Sequence, residues 1–299
     1  MDKPKILIIS DVYGWAWYIK SLQIKRYLSD DFKIDIVWVL GKNRISKAPL
    51  NYDAYITYGY SYIGLLRNIP RNKKSTGVTA HREKSQMLKV INKMKLAKYV
   101  HANSILLYNE LYKYGITKNV YYLPNGVNEE IFKEIKPIPV SKDITIGHVG
   151  KKSNRKGQKQ YIIPAIQKSK AKRVLHFNNF QNAIPHNKMV NIHNSYDVFI
   201  CASLEDGTPN GALEAASCGR PILSNRIGNM PEFIENGVNG FLVEKNVDSY
   251  VKKIKWFRNN REKMKEMGKN ARKTIEEEWT WKIQSEKYRA MFWDMVNDN

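Results

Sequence analysis

Cysteine is nearly absent: Cys201 and Cys218 are the only two in 299 residues. Two thiols cannot build a disulfide scaffold, so a reducing compartment is expected, and each reads as a small core residue. Long apolar runs are absent too. No stretch approaches the roughly 18 residues needed to cross a bilayer. The apolar segment at 6–10 (ILIIS) meets Asp11, which is too short for a secretory signal; the expectation is a cytoplasmic protein. There is no internal repeat, no low-complexity tract and no Cys/His cluster with metal-ligand spacing. Acid is scarce, with 28 Asp and Glu against 50 Lys and Arg, a net charge of +22. What is present is 42% hydrophobic and 11% aromatic residues. That excludes a disordered chain and leaves a basic globular protein of one or two domains.

The positive charge is patchy. Residues 67–98 carry ten Lys and Arg against Glu83, a net +9. Residues 151–188 carry ten and no acid, whereas 189–250 reverse the sign, with three basic residues against eight acids. Patches of one sign point to anionic partners, although coding bias toward Lys, Asn, Ile and Tyr contributes to such a composition.

Short apolar runs alternate with helical patterns. Strands are expected at 6–10, 34–40, 54–60, 76–81, 98–103 and 119–123, with a helix following the turn at 11–14. Residues 133–143 (KEIKPIPVSKD) read as a linker. The alternation restarts with strands at 144–150, 173–177, 197–203, 221–224 and 240–243, a helix at 210–218, charged helices over 246–274 and a last helix at about 281–295. Strand–helix alternation argues for parallel sheets covered on both faces. Two successive α/β runs predict two doubly wound domains, 1–138 and 139–280, with 281–299 as a final helix.

Three segments carry candidate chemistry. In CASLEDGTPNGALEAASCGRPILSNRIGNMPEFIENGVNGFLV (201–243), a strand ends in a polar loop that opens a helix. Backbone N–H groups at that helix start, beside Gly211, suit an anion. Asp206 and Glu214 could contact opposite ends of one polar ligand, or they could be a cap and a buried acid. In GHVGKKSNRKGQKQ (147–160), a glycine-ended strand gives way to a cationic loop. Such a loop is either a solvated basic turn or a stabiliser of developing negative charge. In GVTAHREK (77–84), His81 follows a strand; a lone His is structural more often than functional. Trp15 and Trp17, in the first strand–helix turn, read as core residues or as a surface for stacking on a ring.

The run SLEDGTPNGALEAASCGRP resembles the hallmark of retaining GT-B glycosyltransferases of family 4, S-x-x-E-G-x-P-x-x-x-L-E-A-x-x-C-G-x-P. The similarity continues through GNMPEFIENGVNGFLV. The first acid of the pattern falls on Asp206, with Glu205 just before it. The resemblance implies two Rossmann-like domains facing across a cleft, with the last helix crossing back to the first. It implies transfer of a sugar from a nucleotide-sugar with retention of configuration, and no metal or other cofactor. Glu214 would bind ribose hydroxyls and Asp206 the donor sugar. Glu205, Gly207, Thr208, Pro209, Asn210 and Gly211 would line the donor site. Lys156 matches the family's lysine, Lys151 stands at its arginine position, and Arg155 or Lys152 shares the work on the diphosphate. His81 would contact donor sugar or acceptor, and Gly14 is what remains of a glycine-rich loop near the donor. YLPNGVNEEIF (122–132) resembles the stretch before the family's linker.

The acceptor stays open. Residues 67–98 suit nucleic acid, such as a modified base in viral DNA, in which case the protein works in a host cytoplasm. They suit equally an anionic membrane carrying a lipid-linked or cell-envelope acceptor, with the protein peripheral to it. A small soluble acceptor is the third option. A rival reading from another class is a non-catalytic nucleic-acid-binding protein on a degenerate GT-B scaffold.

Overall fold

The run ILII at 6–9 lies completely buried within β1 (Lys5–Val12). A strand apolar on both faces belongs in the middle of a parallel sheet, and β1 lies there. Its parallel neighbours are β2 (Lys33–Leu40), with Ile6 opposite Ile34, and β3 (Ala54–Thr57), with Ile6 opposite Ala54. Adding β4 (Lys74–Val78), β5 (Tyr99–Ala102) and β6 (Val120–Tyr122) gives the order β2-β1-β3-β4-β5-β6. This computed structural model describes residues 2–41, 44–81, 84–138, 143–178 and 184–298.

Helix α1 (Ala16–Leu28) connects β1 to β2 in one direction. Helices α2 (Lys84–Met94) and α3 (Ile105–Lys113) connect β4 to β5 and β5 to β6 in the other. Crossovers of one hand therefore put α1 on one face of the sheet and α2 and α3 on the opposite face. The cores agree. Ile24 and Leu28 of α1 belong to one buried cluster; Met87, Val90, Ile91 and Met94 of α2 share another with Leu107 and Leu111 of α3.

The second sheet has β7 (Thr145–Lys151) between β8 (Lys172–Asn178) and β9 (Val198–Cys201). With β10 (Ile222–Asn225) and β11 (Gly240–Val243) its order is β11-β10-β9-β7-β8. Around it lie α4 (Ile163–Ser169), α5 (Met189–His193), α6 (Asn210–Ser217), α7 (Met230–Phe233), α8 (Val247–Asn259) and α9 (Arg261–Thr274). The direction of strand progression reverses between β7 and β9. Loops leaving the carboxyl ends of those two strands thus meet at a topological switch point, where open α/β sheets bind ligands.

The compact units are 1–125 with 281–299, and 126–280. The last helix, α10 (Trp281–Asn297), belongs to the first unit, where Tyr288, Met291, Phe292 and Met295 join the cluster of Ile24 and Phe32. The Tyr288 hydroxyl donates to the Leu123 carbonyl at 3.0 Å. The units thus divide after Asn125, whereas the sequence places its division at 138. The segment beginning at Gly126 is held by the second unit: the Val127 N–H donates to Trp279 O at 2.9 Å, and Phe132 is buried in that unit's core. Arg272 donates to the carbonyls of Phe132 and Ser217. The expected linker starts inside this unit, with the Ile135 N–H on Asn194 Oδ1; its residues 139–142 lie outside the described ones. Strand bounds shift at two places. β3 stops at Thr57, before a 3-10 segment at Tyr60–Leu66, and β4 stops at Val78, three residues before His81.

Candidate active site

The cationic loop after β7 and the acidic loop after β9 converge at the switch point of the second unit. Lys156 Nζ lies 2.5 Å from Asp206 Oδ2, and Ser203 Oγ donates to the same carboxylate oxygen at 3.2 Å. Burial works against the Lys156 ammonium, but Asp206 outweighs it and holds its pKa above the ordinary lysine value. Outside this pair, Arg155 Nη1 meets Glu205 Oε2 at 3.3 Å, with both side chains more open to solvent. The sequence left Asp206 and Glu205 in competition for one role. The fold gives them different partners, the inner lysine to Asp206 and the outer arginine to Glu205.

The cationic loop is fastened from below. Gly157 adopts φ +64°, and a Cβ there would come within 2.0 Å of Ala202 O. Only glycine allows this close approach of the loop to the end of β9. His148 is buried, and burial pushes its pKa down to about 4, so the ring is neutral. A neutral ring that donates from Nδ1 to Ile200 O at 2.9 Å accepts at Nε2 from Gln158 Nε2 at 3.1 Å. Gln158 also donates to Lys151 O at 3.0 Å. His148 and Gln158 hold the loop that presents the cations, and nothing in the sequence marks either residue.

The acidic loop is equally constrained. Gly228 adopts φ +52°, and a Cβ there would lie 2.3 Å from Gly207 O, which accepts the Asn229 N–H at 2.9 Å. Asp206, Gly207, Thr208 and Pro209 are buried; Asn210, Gly211 and Glu214, which follow in α6, are partly exposed. Glu214 is gripped by two histidines. His193 Nε2 lies 3.0 Å from Oε2 and His186 Nε2 3.4 Å from Oε1. Burial favours its neutral acid, but the hydrogen bonds of His186 and His193 overcome that and bring the pKa down to about 2. His193 is wholly buried, and its Nδ1 meets the Tyr196 hydroxyl at 2.5 Å. Arg220, also buried, donates to His193 O at 3.2 Å. A chain of buried groups thus fixes the orientation of a carboxylate on a partly exposed helix. Sequence reasoning missed all four supporting residues. The two histidines fit no ligand pattern, and the fold alone brings them to Glu214.

Other expected residues fall elsewhere. Lys151 and Lys152 are exposed at the end of β7. His81 and Gly14 belong to the first unit. There His81 Nδ1 lies 3.1 Å from Glu110 Oε2 of α3, and Gly14 has φ +77° in the turn after β1. Trp17 packs edge-on against Tyr58 and Tyr62, as a core residue does; Arg82 and Glu83, which follow His81, lie outside the described residues. Cys201 and Cys218 are buried and free, as expected. Among the described residues no helix is long and apolar enough to cross a membrane, and no group of three His, Cys, Asp or Glu could hold a metal ion.

Comparison with known proteins bears on this geometry. Residues 155–274 match the family profile of glycosyl transferases group 1, a span that holds the Arg155–Glu205 and Lys156–Asp206 pairs and Glu214. The match falls wholly inside the second unit. The chain is 29% identical over 121 residues to an uncharacterised glycosyltransferase of Methanocaldococcus jannaschii, and 31% identical over 122 residues to a sulfoquinovosyl transferase of Arabidopsis thaliana. These matches cover 40% and 38% of this chain, but only 31% and 24% of the relatives. The fold extends the likeness to the whole chain. A glycosyltransferase from Rickettsia africae superposes with a TM-score of 0.77, covering 100% of both chains at 17% identity. A sucrose-phosphate synthase from Thermosynechococcus elongatus gives 0.79 at 14% identity, covering 97% of this chain and 99% of its own. The fold is GT-B, built of two Rossmann-like units.

Proposed function

We propose that the protein is a retaining glycosyltransferase that takes its sugar from a nucleotide-sugar. The observation that carries this reading is the Lys156–Asp206 pair beside the start of α6, at the switch point of the unit that holds the family match. In this reading the glycosidic C–O bond to the diphosphate breaks, and charge grows on the departing phosphate oxygen. Lys156, with Arg155 and Lys151 at the loop surface, stabilises that charge, and the N–H groups at the start of α6 add to it. Asp206 holds Lys156 in place and accepts hydrogen bonds from the donor sugar. Glu214, ionised and held by its histidines, accepts two ribose hydroxyls. The acceptor oxygen attacks the face the diphosphate leaves, and its proton passes to the departing phosphate oxygen. Because protein cations supply the stabilisation, no metal is required, and turnover survives chelation by EDTA.

The first unit presents the acceptor, and its basic run at 67–98 serves an anionic partner. A thermal-shift screen of nucleotide-sugars tests the donor reading, since a ligand bound only by the folded state raises Tm. UDP-sugars come first, because an Anabaena protein of this fold has been solved with UDP and glucose. If no nucleotide-sugar raises Tm or turns over, and Glu214→Ala changes nothing, the enzyme reading fails and the non-catalytic binding protein replaces it.

A further inference from the structure

Helices α2 and α3 lie side by side in the sheet order on one face of the first unit, over a shared core. Their outer surfaces are unusual for this molecule. Of the thirteen large hydrophobic side chains exposed among the described residues, five sit here: Leu88, Leu96, Ile105, Leu106 and Tyr112. Leu88 and Leu96 are 58% and 53% exposed. Leu88 and Asn92 follow an i, i+4 spacing along α2, and Ile105, Asn109 and Tyr112 follow i, i+4, i+7 along α3, so each set runs along one side of its helix. Leu96 lies in the turn that follows α2, with the Lys95 N–H on Ile91 O and the Leu96 N–H on Lys93 O.

The same segment is cationic. Residues 84–113 hold six lysines against a single acid, Glu110, which is engaged by His81. Lys89, Lys93 and Lys95 lie on the exposed side of α2 and its last turn, among the leucines. A phosphate-binding face needs the cations but has no use for the leucines, because a nucleic-acid backbone is hydrated and polar. The boundary of an anionic bilayer uses both, since apolar side chains enter the acyl edge while lysines stretch to the head groups. We propose that the outer face of α2 and α3 docks the protein on an anionic lipid bilayer. This sharpens the anionic-partner reading of residues 67–98 and does not depend on the donor site.

The test is co-sedimentation of the full chain, at low salt, with vesicles of phosphatidylcholine alone and of equimolar phosphatidylcholine and phosphatidylglycerol. Binding is expected to the anionic vesicles only. Replacing Lys89, Lys93 and Lys95 together by Gln should weaken partitioning by about a hundredfold, at about fivefold per lysine. The Leu88→Ser, Leu96→Ser pair should weaken it by about tenfold while leaving retention on duplex DNA as in the unmodified protein. Both leucines are exposed, so Tm should hold; should the serine pair lower it, Leu88→Ala with Leu96→Ala repeats the measurement. No binding to anionic vesicles overturns the proposal. So does a leucine variant that binds vesicles unchanged, because the face is then a purely electrostatic one, as for nucleic acid. No donor is present in the assay, so failure here is distinct from failure of glycosyl transfer.

Discussion

Lys156 and Lys20 each lose solvent on folding, but their surroundings drive them in opposite directions. Lys156 faces the Asp206 carboxylate at 2.5 Å, and its ammonium is held more firmly than that of a free lysine. Lys20, on α1 in the first unit, is 3% exposed and has aromatic faces for company, with Nζ 4.5 Å from the centre of the Tyr58 ring and 5.2 Å from that of Tyr288. Burial pulls its pKa down to about 7. Desolvation acts on both, so the carboxylate accounts for the difference. A buried cation kept charged can act on a leaving diphosphate; one brought close to neutrality cannot be relied on to do so.

The largest effect is expected at the paired lysine. Lys156→Met should lower kcat for sugar transfer by about a hundredfold to a thousandfold, the usual loss when a group aimed at developing charge is removed. Steady-state turnover beside a Tm control checks it, and wild-type kcat in the variant would break the contrast between the two lysines.

Glu214 offers a second probe of charge held by partners. Its pKa falls from 4.5 to about 2 on folding, so it contributes stability that is complete above pH 4.5 and is lost as pH drops through 2. The contribution is on the order of 3 kcal/mol. Urea titrations across this window should show a flatter acid limb for Glu214→Gln. His193→Asn should loosen the same carboxylate and raise the donor Kd by about tenfold, a loss of about 1.4 kcal/mol, with kcat little changed. An unaltered Kd would confine His193 to a structural role.

Lys20→Met should do the reverse of Lys156→Met. The unfolded chain holds the Lys20 proton up to pH 10.5 and the folded one releases it near 7, so wild-type stability should rise with pH between those values. The substitution should remove that rise and add at least about 1 kcal/mol at pH 7. Calorimetry at several pH values reads both. The smallest effect belongs to Lys168 and Asp248, which pair at 2.6 Å with side chains 61% and 77% exposed. Lys168→Ala should leave Tm unmoved, because solvent screens such a pair.

Much of the fold was legible in the sequence. The apolar runs ILII and VFIC, short and rich in β-branched residues, read as strands buried on both faces, and SLEDGTPNGALEAASCGRP marks the acidic loop and helix of the second unit. The unit boundary was not legible. PNGVNEEIF has no composition that separates it from the first unit, and it belongs to the second because Trp279 and Arg272, about 150 residues away, supply its hydrogen-bond partners. The site was legible where its residues are close in sequence and hidden where they are not. Asp206 and Glu214 stand in one motif, but His193, backed by Tyr196, reaches Glu214 only because α5 and α6 pack together.

Composition and pattern alone determined the basic character, the two α/β sheets and the positions of the candidate cations and acids, because these depend on residue type and local periodicity. Tertiary structure decided which acid meets which cation, that Lys156 keeps its charge while Lys20 is driven toward neutrality, and which leucines face outward. Those outcomes depend on distance and dielectric surroundings, and a linear chain carries neither until it folds.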